Sequence, residues 1–460
     1  MLRQTGGPLP LARKTAGPVQ PSAHRHVLAR LVRSQSRAAR AARGTIAALG
    51  IALGLGSLQH PLRSLLPEYV YRKDFLQEYL LARAVADGTH PYLPIWVLAE
   101  RYLGALPNAV FYHPTPHPPT VGVLFLPLSA LDYPTAAAVW LGLEIACLVA
   151  AVWLLGRAAG ARMSIPGVLA TATALLAWYP VREDLILGQL MLVLLLLVAG
   201  ARAALLSGRA VVGGVLVGLA VLVKPIPWPL LLLFTLRRDW RALGASLSTI
   251  AIGYAVSTWA VGLGPAVAYL REVLPGVAYA YRAHAWNISA WSLGWRMFDG
   301  TGSSVLAGID APPLARSAPA ALVVSAGVPI VVLLLSCLIA RKQRDPDASF
   351  GVMVCASILV SPISWGHYLV LAAVPAAYAV SWLGRQDLPS REANVALGVA
   401  ALLVPSFREW AKLAILIAGQ SSPPDEMLAL PFAPSLLTLA PAIAIGGLGY
   451  LVAMLAGRRT

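Results

Sequence analysis

Asp74, Lys224 and His367 are widely separated in a chain of 460 residues, and each stands at the edge of an apolar run. A carboxylate facing an ammonium and an imidazole suits the transfer of a group from a phosphate leaving group to a hydroxyl. The acid takes the acceptor proton, while the two cationic groups neutralise the charge that develops on the phosphate. Lys224 follows GGVLVGLAVLV and precedes Pro225, so it ends an apolar helix. The competing reading is a lysine that snorkels its ammonium to a membrane interface. Asp74 follows Arg72 and Lys73, and the plainer reading of it is an N-cap, whose oxygen accepts otherwise unpaired backbone N–H groups. His367 sits in SPISWGHY with Trp365 and Tyr368, where an interfacial aromatic belt is the alternative. His113 and His117 are four residues apart in YHPTPHPP, a spacing that suggests a metal pair only on a helix; the prolines forbid one, so no metal site is expected and the segment reads as a stiff loop lining a groove.

These residues must be positioned by elements suited to an apolar solvent. The chain is 58% hydrophobic and 12% charged, with mean hydropathy +0.70, whereas soluble domains carry about 25% charged residues. Many runs reach the length of about 20 residues that a helix needs to cross a bilayer; LGQLMLVLLLLVAGARAALL from Leu187 is the clearest. The pattern predicts an all-α polytopic membrane protein. Its 36 Lys and Arg against 20 Asp and Glu give +16, and the location of the excess argues against nucleic acid. Basic residues gather in the acid-free tail before Gly44, at Arg237, Arg238 and Arg241, at Arg341, Lys342 and Arg344, and at Arg458 and Arg459, the positive-inside pattern. The tail, residues 1–43, reads as a disordered cytoplasmic segment beside anionic lipid. Cys147, Cys337 and Cys355 lie singly in apolar runs and build neither disulfide nor zinc site.

With a cytoplasmic tail, a first anchor from Gly44 leads to an external loop over about 59–118. In it, DFLQEYLLARAVADG has the spacing of an amphipathic helix lying flat on the outer face. Residues 120–156 are divided at LDYP and read either as two short crossings or as one with a re-entrant start. Runs from Ser164, Leu187, Ala210, Pro225 and Ala242 precede a second external loop over about 264–319. Runs from Ala320, Ser349, His367, Ala393 and Pro434 return the C-terminus to the cytoplasm, for about twelve crossings in one domain, 44–456. On this threading Asp74, Glu183, Asp184, Gln189, Lys224, Asn287 and His367 share the external side. Avoidance of the membrane centre explains their place at helix ends. It does not explain their common side, which one polar pocket would.

Taken together, DFLQEYLLARAVADGTHPY, GQLMLVLLLL from Gly188, VKPIPWPLLLL from Val223, Asn287-Ile288-Ser289 and SPISWGHY resemble glycosyltransferase family 87 over about 74–378. That family has the GT-C fold and includes mycobacterial polyprenyl-phosphate-mannose-dependent mannosyltransferases and arabinofuranosyltransferases of envelope glycolipids. The resemblance implies an inverting transfer, mannose foremost, from a polyprenyl-phosphate sugar to a glycolipid or lipoglycan hydroxyl. The site would be extracytoplasmic in a multi-pass plasma-membrane enzyme without cofactor. It implies Asp74 as the base, Lys224 and His367 at the donor phosphate with Arg72 nearby, Gln189 and Asn287 as polar contacts, and Trp365 and Tyr368 as a wall for prenyl chain and sugar. Two departures stand out: Met191 replaces the family's usual Asn after the Gly-Gln pair, and YHPTPHPP stretches its Tyr-Pro-Pro element. The rival class is a transporter or lipid flippase. Transporters show midplane ionisable sites and internal repeats, and the sequence displays neither.

Overall fold

The computed structural model describes residues 37–106, 110–161, 163–302, 309–383, 390–421 and 428–457. Most of the basic tail, and Arg458 and Arg459, therefore lie outside the described residues. The chain is mostly helical. Among the described residues five helices are long and apolar enough to cross a membrane: Gly44–Arg63, Tyr133–Ala158, Trp240–Val261, Ala318–Lys342 and Phe432–Ala456. Ile165–Leu175, Met191–Leu206, Ala210–Val223 and Pro346–Val360 are apolar but shorter. The run from Pro225 yields only the nine-residue helix Pro229–Arg237, about 14 Å at 1.5 Å per residue and well short of a hydrocarbon core of about 30 Å.

The ambiguity at LDYP is settled by local chemistry. Asp132 accepts from the Thr135 N–H, Pro134 fits the first turn, and the helix then runs 26 residues to Ala158. Pro119–Leu124 and Leu126–Ser129 before it are too short to cross. Residues 119–158 thus hold one helix long enough to cross, preceded by two short ones. Close packing sets the next helices. A Cβ on Gly214 would sit 2.2 Å from the Ala242 carbonyl oxygen, and Ser246 Oγ donates to the Gly214 carbonyl at 2.8 Å. Small residues let backbones approach where there is no hydrophobic drive between helices. Ala210–Val223 is thereby held against Trp240–Val261, and its end presents Lys224.

The helix Phe75–Asp87 corrects an expectation. It is not an exposed surface helix: Phe75 to Ala82 and Ala84 are buried, enclosed by Ile95–Leu103, Pro119–Leu124 and Leu126–Ser129. Its polar residues turn to protein partners, with Glu78 2.9 Å from His117 and Arg83 Nη1 donating to the Ser129 carbonyl at 3.0 Å. Spacing that reads as amphipathic is the same whether the polar side meets water or a second protein layer.

Beyond the two expected connecting segments there is a third. Ser406 and Glu409 form a capping box that opens the helix Phe407–Ile417. This helix packs Ala411, Ala414 and Ile415 against Ala285, Ile309 and Ala311 of the second segment. The two segments are also joined by a short parallel pairing of Ile309–Asp310 with Leu428–Ala429.

Candidate active site

A cavity of about 540 Å³ opens where the connecting segments cover one end of the helices, and Asp74, Gln189, Lys224 and His367 all line it. Asp74 occupies the N-cap position of Phe75–Asp87, yet its side chain makes no capping hydrogen bond. Its Oδ2 instead accepts from Gln189 Nε2 at 2.8 Å. Burial raises the Asp74 carboxyl to about 6, against the lowering effect of that hydrogen bond. Gln189 Oε1 in turn accepts from Lys224 Nζ at 2.8 Å. A carboxylate, an amide and an ammonium therefore form a hydrogen-bonded chain across residues 74, 189 and 224. The ammonium also lies 4.5 Å from the centre of the Tyr368 ring, a cation–π contact. Lys224 is buried, and its head turns into the cavity instead of snorkelling to lipid.

The chain is braced from behind. Lys73 Nζ donates to Ser64 Oγ at 2.8 Å and to the carbonyls of Leu185 and Ile186 at 3.0 and 2.6 Å, satisfying the end of the helix Tyr179–Leu187. Burial pushes the Lys73 ammonium down to about 8 despite the neighbouring Glu144, Asp74 and Asp184. Asp184 accepts from the Met191 and Leu192 N–H groups at 3.3 and 3.1 Å, so it anchors the start of Met191–Leu206, and burial raises it to about 7. Between these helices Gly188 takes a left-handed φ of 70°, and a Cβ there would meet Phe75 at 2.9 Å. Both facts require glycine. Trp140 stacks on Phe75 at 5.8 Å and donates its indole N–H to the Gly188 carbonyl at 3.0 Å.

His367, Trp365 and Tyr368 also line the cavity, as does Arg72. The His367 ring meets Tyr368 edge-on at 5.0 Å, and its Nε2 is buried with no hydrogen-bond partner among the described residues. Trp365 meets Tyr281 and His284 edge-on. Asn287 departs from the expected direct contact. It is fully buried outside the cavity wall, where Nδ2 donates to the Tyr281 and Pro362 carbonyls at 3.1 and 3.2 Å while Oδ1 accepts from the Ser289 and Ser364 N–H groups at 3.0 Å each. An amide with its hydrogen bonds filled in this way positions the SPISW loop and has none left for a ligand. The histidines of YHPTPHPP also diverge: His117 pairs with Glu78, and His113 Nε2 contacts the Tyr281 hydroxyl at 2.8 Å. Both still line the cavity, as the stiff-loop reading expects. Among the described residues no group of three or more His, Cys, Asp or Glu is placed to hold a metal ion.

The family model described as glycosyltransferase family 87 matches residues 115–362, more than half the chain. The chain belongs to glycosyltransferase family 87. The matched stretch contains Gln189 and Lys224, while Asp74 and His367 lie outside it and fold back onto it. Among curated relatives, an alpha-(1->3)-arabinofuranosyltransferase of Corynebacterium glutamicum is 27% identical over 224 residues, covering 45% of this chain and 53% of that protein. A polyprenol-phosphate-mannose-dependent alpha-(1-2)-phosphatidylinositol pentamannoside mannosyltransferase of Mycolicibacterium smegmatis is 30% identical over 277 residues, covering 58% and 63%. The chain thus spans between about half and two thirds of the length of these relatives. No solved structure matches it.

Met191, the departure from the family pattern, is packed in the core and leaves no polar group in the cavity wall. Several wall residues were not legible as site residues. Glu183 had a signal, since it stands in the external YPVREDLILGQ. Phe407 and Arg408 had only the Ser-x-x-Glu start of a one-sided helix, with nothing to say what that helix packs on.

Proposed function

We propose that this family 87 member moves a sugar, mannose foremost, from a polyprenyl-phosphate donor to a hydroxyl of an envelope glycolipid or lipoglycan, at the extracytoplasmic face of a plasma membrane. One observation carries the reading: the chain Asp74, Gln189, Lys224 in a single cavity. Asp74 takes the proton of the acceptor hydroxyl as its oxygen bonds to the anomeric carbon. The bond from that carbon to the phosphate oxygen breaks on the opposite face, so one displacement inverts the configuration. Lys224 and Arg72 receive the phosphate and stabilise its growing charge, and His367 offers it the buried Nε2 as a hydrogen-bonding group. A carboxyl raised to about 6 suits a base that is ionised yet still proton-accepting at neutral pH.

Gln189 keeps the base and the phosphate site in register through its two ends. Phe111, Leu187, Ile226, Leu274 and Val277 give the cavity an apolar side, which suits a prenyl chain entering from lipid. Asn287 holds the loop that presents Trp365, His367 and Tyr368. The helical body with its site under connecting segments fits the GT-C architecture. The two relatives are named for different sugars, so the donor decides the experiment. Purified protein in lipid nanodiscs is given polyprenyl-phosphate-mannose or polyprenyl-phosphate-arabinofuranose, each radiolabelled, with envelope lipid extract. A labelled glycolipid from the mannose donor supports the reading. Product from the arabinofuranose donor alone replaces the sugar, and absence of product from both overturns the activity.

A further inference from the structure

The cavity wall carries a second acidic group besides Asp74, Glu183. Its Oε2 is buried with no hydrogen-bond partner among the described residues. Gly366 is pressed against that oxygen, since a Cβ there would lie 2.5 Å from it. Beside it stand Phe407 and Arg408, brought in by the third connecting segment from beyond the family-matched stretch. The Phe407 ring stacks on Trp286 at 6.1 Å and 16°, and meets Tyr179 edge-on at 6.1 Å. Glu183, Trp286 and Phe407 therefore share one part of the same wall.

A buried acceptor oxygen left unpaired is costly, and a ligand that brings hydroxyl donors removes the cost. Burial raises the Glu183 carboxyl to about 7, so it offers a ligand hydrogen bonds and no counter-charge for a phosphate. Neutral hydroxyls beside apolar ring surfaces are what a sugar offers, with O–H groups at its rim and C–H groups on its faces. We propose that Glu183, Trp286 and Phe407 form the subsite for the acceptor's sugar headgroup, with Glu183 accepting from hydroxyls next to the one that Asp74 deprotonates. This inference rests on the glycosyltransferase reading above and assigns the acceptor to a carbohydrate-headed lipid. Phe407 comes from the third connecting segment, which carries none of the donor-side residues named above.

The test titrates envelope lipid extract as acceptor at fixed radiolabelled polyprenyl-phosphate-mannose, then the donor at fixed extract, for wild type, Glu183→Ala, Glu183→Gln and Phe407→Ala in nanodiscs. Glu183→Ala is expected to raise the half-saturating amount of extract about tenfold or more and to move the donor KM less than twofold. Glu183→Gln, which keeps one carbonyl oxygen, should fall between, and it decides the matter should the alanine variant not fold. Thermal melting of each variant separates lost binding from lost structure. An unchanged acceptor dependence in a folded Glu183 variant, or an equal rise in donor KM, overturns the inference. Absence of product from the wild type is a different failure, that of the parent reading.

Discussion

The helices Met191–Leu206 and Pro346–Val360 carry buried polar groups at both ends, and the two ends treat them differently. At one end Arg202 on the first helix meets Asp347 on the second in a two-pronged pair, 2.5 and 2.8 Å. Near it, Arg237 donates to the Ala340 and Gln343 carbonyls and to Ser349, and the Tyr378 hydroxyl donates to Asp345 at 2.9 Å. These charges pair with protein groups, although Arg202 Nη1 and Arg237 Nε are left over among the described residues. At the other end Gln189 precedes the first helix and the SPISW loop follows the second, and there the charges border a cavity of about 540 Å³. Glu183 and His367 each keep a buried atom without a partner. Both ends hold charged groups with an atom to spare; what differs is that Glu183 and His367 border the cavity, whereas Arg202, Arg237, Asp345 and Asp347 do not. The closed end serves the fold, and the open end holds the candidate site.

Substitutions sharpen or break that contrast. Asp74→Asn, the largest expected effect, should lower kcat/KM for sugar transfer on the order of 10³-fold by removing the base while the melting temperature holds or rises, because a buried carboxyl held near 6 is no help to stability when ionised. Wild-type transfer by this variant would remove Asp74 from the chemistry. Arg202→Ala, at the closed end, should cost about 3 to 5 kcal/mol of stability by stranding Asp347. Its surviving folded fraction should keep both the donor and the acceptor dependence, as read by melting and by active-site-normalised kinetics. Lys224→Ala should lower kcat/KM for the donor about 10²-fold, with little change in acceptor dependence. A stability loss without that donor effect would make the lysine a structural residue.

Gln189→Leu is the finest probe. The active form of Asp74 is ionised, so transfer falls as pH drops through about 6. Removing a hydrogen bond that favours the ionised form raises that carboxyl further, and the acid limb of the pH profile should move about one unit towards alkaline pH. A limb that stays in place would mean that another group sets it.

Much of this arrangement was legible before any fold. Asp74, Gln189, Lys224 and His367 are polar residues at the margins of apolar runs, and topological alternation alone put them on one side. Hydropathy constrains depth in a membrane strongly, so such residues announce themselves. It constrains lateral packing weakly, and the misreadings fall there. The amphipathic helix is buried because Ile95–Leu103, Pro119–Leu124 and Leu126–Ser129 pack over it. Asn287 became a brace because its partners are backbone atoms of a loop more than seventy residues away. Phe407 and Arg408 join the wall through a docking partner, the segment around Ala285 and Ile309, that no local pattern names.

Lys73 and Asp74 are neighbours in the chain, one tied by its ammonium to Ser64, Leu185 and Ile186, the other facing the cavity. A moving base would have to tear those ties first. On the proposed mechanism the base is then delivered on an anchored stretch of backbone, and the substrates would have to come to it.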